Sequence, residues 1–396
     1  MRIAICLFFF CIITFFSSCS KNSSDTPTET LPVAKVNSLS QERSTNATIF
    51  RFTVSLDKTA AAEATVHYAT VPATAEADKD YTPVSGTLTI PAGQKQATFD
   101  VEVTGDSTRK EDQFFYVQID NPKNCQVSGN GKNSGTIINA NGLYFPVDNT
   151  GYSTPNNYLG YALAWSDEFD GNAVDNANWT FESGNNNGWG NAELENYTNR
   201  TENAFVSKGN LIIEAREDNY QSSNYTSARM ITKGKQAFTF GRVDIRAKLP
   251  KGKGVWPALW MLGSNIDAVS WPACGEIDIL ELLGQEPNKI YGTLHWGANT
   301  AAHESKGSNY ILGAGSFDEQ FHVYTMLWKE DNIKLYIDDI EFLTVDKTDL
   351  TGSEYPFNKN FFFIFNIAVG GNWPGSPDAT TVFPQRMIVD YVRVFQ

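Results

Sequence analysis

Short runs of alternating apolar and polar residues follow one another from about Pro32 to Asn141. Successive residues of an extended chain point to opposite faces of a sheet, so each run predicts a half-buried strand. Several short strands separated by turn residues are typical of a β-sandwich. We therefore predict a first, all-β domain at residues 32–141. The runs cover residues 49–54, 65–68, 86–90, 98–103 and 114–119.

The longer part of the chain, residues 158–396, carries a second pattern of many short strands. Glycines and prolines recur too often in it for long helices, and an apolar period of 3.6 residues is almost absent. All nine tryptophans lie here, between Trp165 and Trp373. This pattern predicts a larger sandwich or jelly roll, so the expected fold class of the whole chain is all-β. Residues 142–157 contain glycine, asparagine and proline and are predicted to link the two domains.

The N-terminus has the pattern of a bacterial lipoprotein. Residues 3–16 form an apolar run that is too short to span a bilayer comfortably. Ser17-Ser18-Cys19 resembles a lipobox, which implies cleavage before Cys19 and lipidation of its thiol. We predict a signal peptide at residues 1–18 and a flexible tether at 19–31. The protein is expected to be lipid-anchored in the bacterial cell envelope, on the outer membrane and exposed at the surface. Ordinary secretion is the alternative.

Charge and cysteine content narrow the function classes. The chain has 45 acidic and 31 basic side chains, a formal net charge of −14, so nucleic acid and anionic membrane surfaces are poor partners. A neutral polymer fits this charge better. In folded sequence only Cys125 and Cys274 remain, one in each predicted domain. Stability is therefore expected from core burial and not from disulfides.

Residues 276–281 combine a strand pattern with three carboxylates. Extended residues two apart lie on the same face, roughly 6.6 Å apart along the strand, so Glu276 and Asp278 share a face. Glu281 would point the other way, among apolar residues, and an unpaired buried carboxylate is costly. One extra residue inserted as a β-bulge at Ile279-Leu280 would bring all three acids to one surface. We predict such a bulge.

Three carboxyl groups on one face suit retaining glycoside hydrolysis. That reaction needs a nucleophilic carboxylate and an acid/base carboxyl about 5–5.5 Å apart across the scissile bond. Asp278, between the two glutamates, is placed to share a proton with Glu276. The spacing does not decide which glutamate has which role. An acidic edge strand exposed to water is the plain alternative.

The motifs around the acids carry a family resemblance. Trp-Pro stands at residues 271–272, Gly-Thr-Leu-His-Trp at 292–296 and Gly-Gly-Asn-Trp-Pro-Gly at 370–375. Together with the acids, these motifs resemble glycoside hydrolase family 16, and within it the laminarinase-like endo-β-1,3-glucanases, over nearly the whole of residues 161–396. The resemblance implies a concave jelly roll with the sugar lying along the concave sheet. It also implies the roles of the acids: Glu276 as nucleophile, Glu281 as general acid/base and Asp278 as assisting acid.

The same resemblance marks candidates for substrate binding. Sugar rings present apolar C–H faces, and aromatic platforms with polar groups at the rim suit them. By family position the candidates are Trp256, Trp260, Trp271, Arg229, His295, Asn372 and Trp373. The alternative role is core packing for a tryptophan or for His295, and a surface ion pair for Arg229.

His303 and His322 lack partners at metal-ligand spacing and are interpreted as structural.

The first domain has a resemblance of its own. Residues 80–88, 91–93, 111–114 and 135–137 together resemble a Calx-β domain, an immunoglobulin-like β-sandwich that in some proteins binds calcium through clustered carboxylates. The tail at residues 139–141 reads Asn-Ala-Asn where that family usually ends in acids. We therefore expect a spacer or docking module and not a calcium sensor.

Family 16 implies one further ion. Many members carry a structural calcium on the convex face, and Glu168 and Asp390 match positions of its oxygen ligands. No cofactor is expected for catalysis.

The sequence thus predicts a monomeric, lipid-anchored enzyme that cuts laminarin-type or mixed-linkage β-1,3/1,4-glucan at internal bonds. One alternative is a hydrolase of another polysaccharide, such as an agarase-like enzyme acting on a galactan, but the laminarinase-like motifs weigh against it. The other is a glycan-binding surface lipoprotein without catalysis. The intact Glu276, Asp278 and Glu281 argue against that alternative.

Overall fold

The computed structural model describes residues 30–110, 112–139, 144–350 and 354–396. The predicted signal peptide, Cys19 and the tether up to residue 29 lie outside these ranges. Residue 141, where the first predicted domain ends, and the first two residues of the predicted linker also lie outside them. The predictions for these segments stay predictions.

The first domain is a sandwich of two β-sheets. One sheet has the strand order β6-β3-β1-β8 and the other β2-β9-β7-β4-β5. The strands are β1 (Val33–Val36), β2 (Leu39–Glu42), β3 (Thr48–Leu56), β4 (Ala64–Val71), β5 (Ser85–Ile90), β6 (Gln96–Val103), β7 (Gln113–Lys123), β8 (Gln126–Val127) and β9 (Lys132–Ile138).

The alternating pattern of β3 shows why these residues form a sandwich. Phe50, Phe52 and Val54 are buried, while the residues between them face outward or lie partly exposed. Phe52 stacks on Phe99 of its own sheet at a centroid distance of 5.6 Å and meets Phe115 of the opposite sheet edge-on at 6.0 Å. Each such aromatic side chain removed from water contributes about 1.5–3 kcal/mol.

The second domain consists of a ten-stranded and a seven-stranded sheet packed face to face. The seven-stranded sheet has the order β11-β16-β25-β18-β19-β20-β21. The ten-stranded sheet has the order β12-β15-β14-β26-β17-β22-β23-β24, with β10 paired to β26 and β13 paired to β14. Helical turns in the described ranges are short: α1 (Ile266–Val269) and two 3-10 turns, Thr300–Ala302 and Lys347–Asp349.

The bounds of these strands are β10 (Leu163–Asp167), β11 (Thr180–Glu182), β12 (Glu195–Tyr197), β13 (Ala204–Val206), β14 (Leu211–Tyr220), β15 (Ser223–Ser227), β16 (Arg229–Ile231), β17 (Gly241–Lys248), β18 (Val255–Gly263), β19 (Glu276–Leu282), β20 (Lys289–Trp296), β21 (Glu304–Ile311), β22 (His322–Lys329), β23 (Asn332–Ile337), β24 (Ile340–Asp346), β25 (Phe361–Val369) and β26 (Gln385–Phe395). The described chain is almost entirely strands and turns, which confirms the predicted all-β class. No helix in the described ranges has the length and apolar character needed to cross a membrane.

The core between the two sheets explains where the functional surface lies. On β19 the side chains of Ile277, Ile279, Leu280 and Leu282 all join this core. On β25, which is separated from β19 by β18 in the same sheet, all nine residues are buried. The acids of β19 therefore have only the outer face of the seven-stranded sheet available.

Arg109 of the first domain is inserted into the second domain. Its side chain is 1% exposed, and its guanidinium donates to the carbonyl oxygens of Thr201 (2.9 Å) and Glu202 (3.2 Å). The guanidinium carbon lies 3.7 Å from the ring centre of Phe205, and a guanidinium nitrogen lies 3.7 Å from a carboxylate oxygen of the buried Glu214. A buried arginine needs such partners, because an unpaired buried charge is strongly destabilising. This contact docks the two domains.

The described part of the predicted linker is also held against the second domain. The backbone of Phe145 exchanges hydrogen bonds with the Ser207 hydroxyl, and Gly151 forms a bridge with Phe321. Arg246 donates to the carbonyl oxygens of Asn149 (2.7 Å) and Tyr152 (2.6 Å). These bonds join the segment to the ten-stranded sheet, away from the acids of β19.

Candidate active site

The pairing of β19 changes register between Asp278 and Glu281. Towards β18, Leu280 pairs with Leu259 and Asp278 with Trp260, so Ile279 has no partner of its own. The register towards β20 shifts at the same place. The predicted β-bulge at Ile279-Leu280 is therefore confirmed. Two successive residues point into the core, and Glu281 lies on the same side as Glu276 and Asp278.

The energetics favour this irregularity over a regular strand. Ile279 and Leu280 each gain about 1.5–3 kcal/mol from burial. A regular strand would expose one of them and direct Glu281 into the core, where an unpaired carboxylate costs several kcal/mol. The lost ladder hydrogen bond is a smaller cost, about 0.5–1.5 kcal/mol.

All three acids line one cleft with a volume of about 650 Å³. This size is within the range of ordinary ligand sites. Nine of the ten catalytic and substrate-binding candidates from the sequence line it: Glu276, Asp278, Glu281, Arg229, Trp256, Trp260, Trp271, His295 and Trp373. The tenth, Asn372, lies outside this lining, and its backbone N–H donates to the Asn191 carbonyl at 2.7 Å.

Glu276 has two partners that favour its charged form. Trp271 donates its indole N–H to Glu276 Oε2 at 2.9 Å. Nε2 of His295 lies 3.8 Å from Glu276 Oε1. Burial nevertheless raises the pKa of Glu276 well above its usual range, and the neighbouring Asp278 adds to the rise. The Trp271 N–H and His295 act against this rise.

Asp278 is the most enclosed of the three acids, with 3% of its surface exposed. Burial raises its pKa to about 8, although a hydrogen bond with Glu276 acts in the opposite direction. His295 Nε2 lies 3.2 Å from Asp278 Oδ2, a close contact that is not aligned as a hydrogen bond. Because the pKa values of Glu276 and Asp278 are both raised, this adjacent pair shares protons at neutral pH and does not carry two negative charges.

Glu281 has a different set of partners. The Trp256 indole N–H donates to Glu281 Oε1 at 3.0 Å. Burial raises the pKa of Glu281 to about 8, with a further increase from Asp278 and opposing effects from His295 and Trp256. A carboxyl that is protonated at neutral pH can act as a general acid.

The aromatic walls of the cleft come from several elements. Trp373 is 42% exposed and meets Trp256 edge-on at 5.5 Å and Tyr291 at 4.9 Å. The Trp260 indole N–H donates to Asn366 Oδ1 at 2.8 Å, which fixes the ring on the cleft floor. Flat rings held in this way offer platforms for the apolar faces of sugars.

Arg229 forms the ion pair that was its alternative role, and it also lines the cleft. Its Nε donates to Glu182 Oε2 at 2.6 Å, so the ion pair is present. Its guanidinium carbon also lies 4.8 Å from each of two cleft rings, Trp189 and Trp260. Stacking between two rings holds a cation in place. The Arg229 donors are thereby kept at the cleft wall.

Sequence reasoning assigned no role to several residues that line the cleft. Trp189, Asn191 and Glu193 belong to a loop whose Trp-Gly-Asn run was visible in the sequence, but nothing local placed it opposite β19. Glu193 is 6% exposed and accepts hydrogen bonds from Asn191 Nδ2 (3.2 Å) and Tyr197 (3.1 Å). His303, interpreted as structural, also lines the cleft.

The two calcium candidates have arginine partners. Both carboxylate oxygens of Glu168 accept hydrogen bonds from Arg393, at 2.8 and 2.7 Å. Asp390 Oδ2 accepts from Arg246 at 2.8 Å. The Glu168 side chain therefore does not fit a calcium ligand, because its charge and both oxygens are already matched.

One acidic group in the described ranges is compact enough to share a cation. It consists of Glu276, Asp278 and His295, whose ligand atoms lie within 4.8 Å of one another. These side chains are the centre of the cleft, and their contacts with one another and with Trp271 account for the arrangement without an ion.

Both domains of the chain are similar to known proteins or domains. The model of glycosyl hydrolases family 16 matches residues 191–393, and the Calx-beta domain model matches residues 33–141. Glucan endo-1,3-beta-glucosidase A1 of Niallia circulans is 42% identical over 260 residues, which is 60% of this chain and 38% of that protein. Beta-glucanase of Rhodothermus marinus is 42% identical over 257 residues, which is 60% of this chain and 85% of that protein.

A solved structure gives the same picture of the second domain. The laminarinase catalytic domain from Thermotoga maritima is 49% identical, with a TM-score of 0.57. The similarity covers 60% of this chain and 98% of the laminarinase domain.

The raised pKa of Asp278 predicts a stability cost at alkaline pH. Native Asp278 keeps its proton up to about pH 8, whereas an unfolded aspartate loses it near pH 4, roughly. The native state therefore binds more protons between these values, and the free energy of unfolding falls as pH rises through this window. We expect Asp278→Asn to flatten the fall, so that the variant melts at a higher temperature than the wild type at pH 8.5 but not at pH 5.

The matched control is Asp100→Asn, at an exposed ion pair with Arg51 in the first domain. The pKa of Asp100 is lowered by Arg51, so this carboxyl titrates below the window and its variant should keep the wild-type slope. Thermal melting from pH 5 to 9 measures all three proteins. The same slope for Asp278→Asn and the wild type would contradict the prediction.

Proposed function

The chain belongs to glycosyl hydrolases family 16, and we propose that it is a retaining endo-1,3-β-glucanase that acts through Glu276, Asp278 and Glu281. The observation that carries this proposal is the convergence of the three carboxyl groups on one aromatic cleft, produced by the bulge in β19. The relatives are named as a glucan endo-1,3-beta-glucosidase and a beta-glucanase, and these names support the β-1,3 bond of a glucan as the bond that is cut. The chain spans only 38% of the first relative and 85% of the second, so substrate and activity are proposals for the whole protein.

The first step of the proposed reaction breaks the glycosidic bond. Glu281 donates its proton to the departing glycosidic oxygen, while the Glu276 carboxylate attacks the anomeric carbon. A covalent glycosyl–Glu276 ester forms, and the part of the glucan that carries the newly formed hydroxyl group leaves. The raised pKa of Glu281, about 8, keeps the required proton on this acid at neutral pH.

The second step releases the other product. Glu281, now a carboxylate, takes a proton from a water molecule, and the resulting hydroxide attacks the anomeric carbon. The bond to Glu276 breaks, and the sugar leaves with its original configuration because two inversions have occurred. Glu281 is protonated again and Glu276 is ionised, so the site is ready for another cycle.

Asp278 is proposed to assist without bonding to the sugar. Its proton, retained up to about pH 8, avoids a second negative charge beside Glu276. Its hydrogen bond with Glu276 acts against the rise of its own pKa, so the two carboxyl groups can share one proton. This arrangement lets Glu276 ionise in a buried site where two adjacent carboxylates would repel each other.

The proposed substrate is a laminarin-type or mixed-linkage β-1,3/1,4-glucan. A neutral glucan suits a chain with a net charge of −14, and the rings of Trp256, Trp260, Trp271 and Trp373 line the cleft. Glycan binding without catalysis is the second candidate, because the same aromatic walls would hold a glucan. The intact acids favour turnover, and no observation in the structure favours a galactan.

Substitution of the acids tests the proposal. We expect Glu276→Ala to abolish the release of reducing sugar from laminarin, because no nucleophile remains, and Glu281→Ala to reduce it by about 10²–10⁴-fold or more. Asp278→Asn should cost less than either, since the amide keeps a neutral, hydrogen-bonding group beside Glu276. Reducing-sugar assays at several pH values give the rates.

Glu341→Gln is the matched control, because Glu341 forms a partly exposed ion pair with Lys334 on the other sheet. Its variant should keep the wild-type rate. Full activity of Glu276→Ala would refute the assignment of Glu276 as the nucleophile. A wild-type protein that binds laminarin but releases no sugar would support the binding candidate.

A structural calcium remains a proposal that rests on the family resemblance alone. The Glu168 and Asp390 side chains do not support it, because arginines occupy them. An unchanged melting temperature in excess chelator would remove the proposal. A fall in melting temperature would mean that other oxygens hold the ion.

We also propose that the protein is a monomer anchored by lipid at Cys19 on the outer membrane, facing outward, with the first domain as a spacer. The support is the lipobox-like Ser17-Ser18-Cys19. Cys19→Ala should move the protein from the membrane fraction to the soluble fraction of the producing cells. Retention of this variant on the membrane would contradict lipid anchoring.

A further inference from the structure

His303 contacts both side chains that support the proposed nucleophile. Its Nε2 lies 2.8 Å from His295 Nδ1. Its ring also packs on Trp271 at a centroid distance of 4.8 Å. His295 in turn faces Glu276 and Asp278, and Trp271 donates to Glu276. His303 itself makes no hydrogen bond to the acids in the described structure, so its effect on them passes through its two neighbours.

The local fold holds His303 in this position. His295 on β20 pairs with Ser305 on β21, and His303 lies two residues before Ser305, so it falls on the same face. The loop between the strands is tight: a Cβ added to Gly297 would lie 2.2 Å from the Ala302 carbonyl oxygen. The Asn299 side chain accepts hydrogen bonds from the backbone N–H groups of Ala301 (3.0 Å) and Ala302 (3.2 Å).

The distance between the two rings restricts their protons. Two imidazole nitrogens at 2.8 Å share a single proton, because one must donate and the other accept. If His303 Nε2 is the acceptor, His295 donates from Nδ1 and is free to carry a second proton on Nε2, facing the acids. A positive charge on His295 is then stabilised from behind by the lone pair of His303.

We infer that His303 is a positioning residue of the proposed active site, which accepts a hydrogen bond from His295 Nδ1 and braces Trp271, so that both keep Glu276 ready to attack. This inference rests on the proposed function. It assigns a role in the cleft to a histidine that the sequence indicated as structural. His303 is itself exposed, so the pair connects the enclosed acids to solvent.

The surrounding charges decide the direction of the expected pH effect. The titratable groups around His303 are its contact His295 on β20, the three acids of β19 on the far side of His295, and its chain neighbour Glu304 on β21. The charge of His295 lowers the pKa of Glu276 against the effect of burial. Loss of the His303 acceptor disfavours that charge, so the pKa of Glu276 should rise. The acid limb of the kcat/KM profile should then move to higher pH.

The test compares His303→Phe, which keeps a flat ring against Trp271 but has no nitrogen, with His303→Gln, which can still accept from His295. For His303→Phe we expect kcat on laminarin to fall about 10-fold with little change in KM, by analogy with the loss of outer-shell partners of metal ligands. Its acid limb should rise by about 0.5–1 pH unit. His303→Gln should recover most of the kcat and the wild-type limb.

A measurement without turnover separates this inference from the proposed function. The chain has four histidines, so ¹⁵N NMR of the labelled protein can follow each ring. In His303→Phe the His295 nitrogens should shift in addition to the loss of the His303 signals. The control His67→Phe, at a histidine bonded to Asp120 in the first domain, should lose only its own signals. These spectra are informative even if the wild type hydrolyses no glucan.

Two results would overturn the inference. One is an unchanged His295 spectrum in His303→Phe, which would mean that the two rings are not hydrogen-bonded. The other is a rise in KM alone, with kcat and the acid limb unchanged, which would make His303 a plain substrate contact.

Discussion

The site depends on a change of one residue in the register of β19. Side chains alternate along a strand, so Glu281 can join Glu276 and Asp278 only if one residue is added between them. The structure adds Ile279, and both Ile279 and Leu280 enter the core. Packing and chemistry therefore favour the same irregularity: the core gains an apolar side chain, and the cleft gains a carboxyl group.

Once the acids share a face, their neighbours determine what each can do. All three carboxyl groups are buried enough to have raised pKa values. An indole N–H and His295 favour the charged form of both glutamates, but the Glu276 indole is Trp271 and His295 lies within 3.8 Å of Glu276, whereas the Glu281 indole is Trp256. One indole donor comes from β18 and the other from the turn that precedes β19. The aromatic residues thus serve the carboxyl groups as well as the substrate.

Much of this arrangement could be predicted from local sequence. The all-β class follows from alternation, and the bulge follows from the odd spacing between Asp278 and Glu281. Trp256, Trp260, Trp271 and Trp373 were named because the family resemblance reached them, and they line the cleft. Asn372 was named on the same basis but supports the neighbouring loop through its backbone. A motif can identify a loop without deciding which of its residues faces the cleft.

The residues that sequence reasoning missed depend on contacts between distant segments. His303 carries no signal of its own, because its partner His295 meets it only through the tight loop that begins at Gly297. Glu193 lines the cleft only because its loop, which is distant from β19 in the sequence, folds against the same cleft as the β19 acids. Arg109 likewise resembles any surface arginine in the sequence, and its burial depends on the surface of the second domain. Pairwise contacts of this kind leave no periodic pattern.

The stereochemical course of laminarin hydrolysis tests the central claim most directly. Proton NMR of a fresh digest by the wild-type protein shows which anomer forms at the new reducing end before mutarotation. Two carboxyl groups acting in turn on one face of the sheet predict that the β-anomer appears first. Initial formation of the α-anomer would mean a single displacement by water, and it would contradict the role given to Glu276.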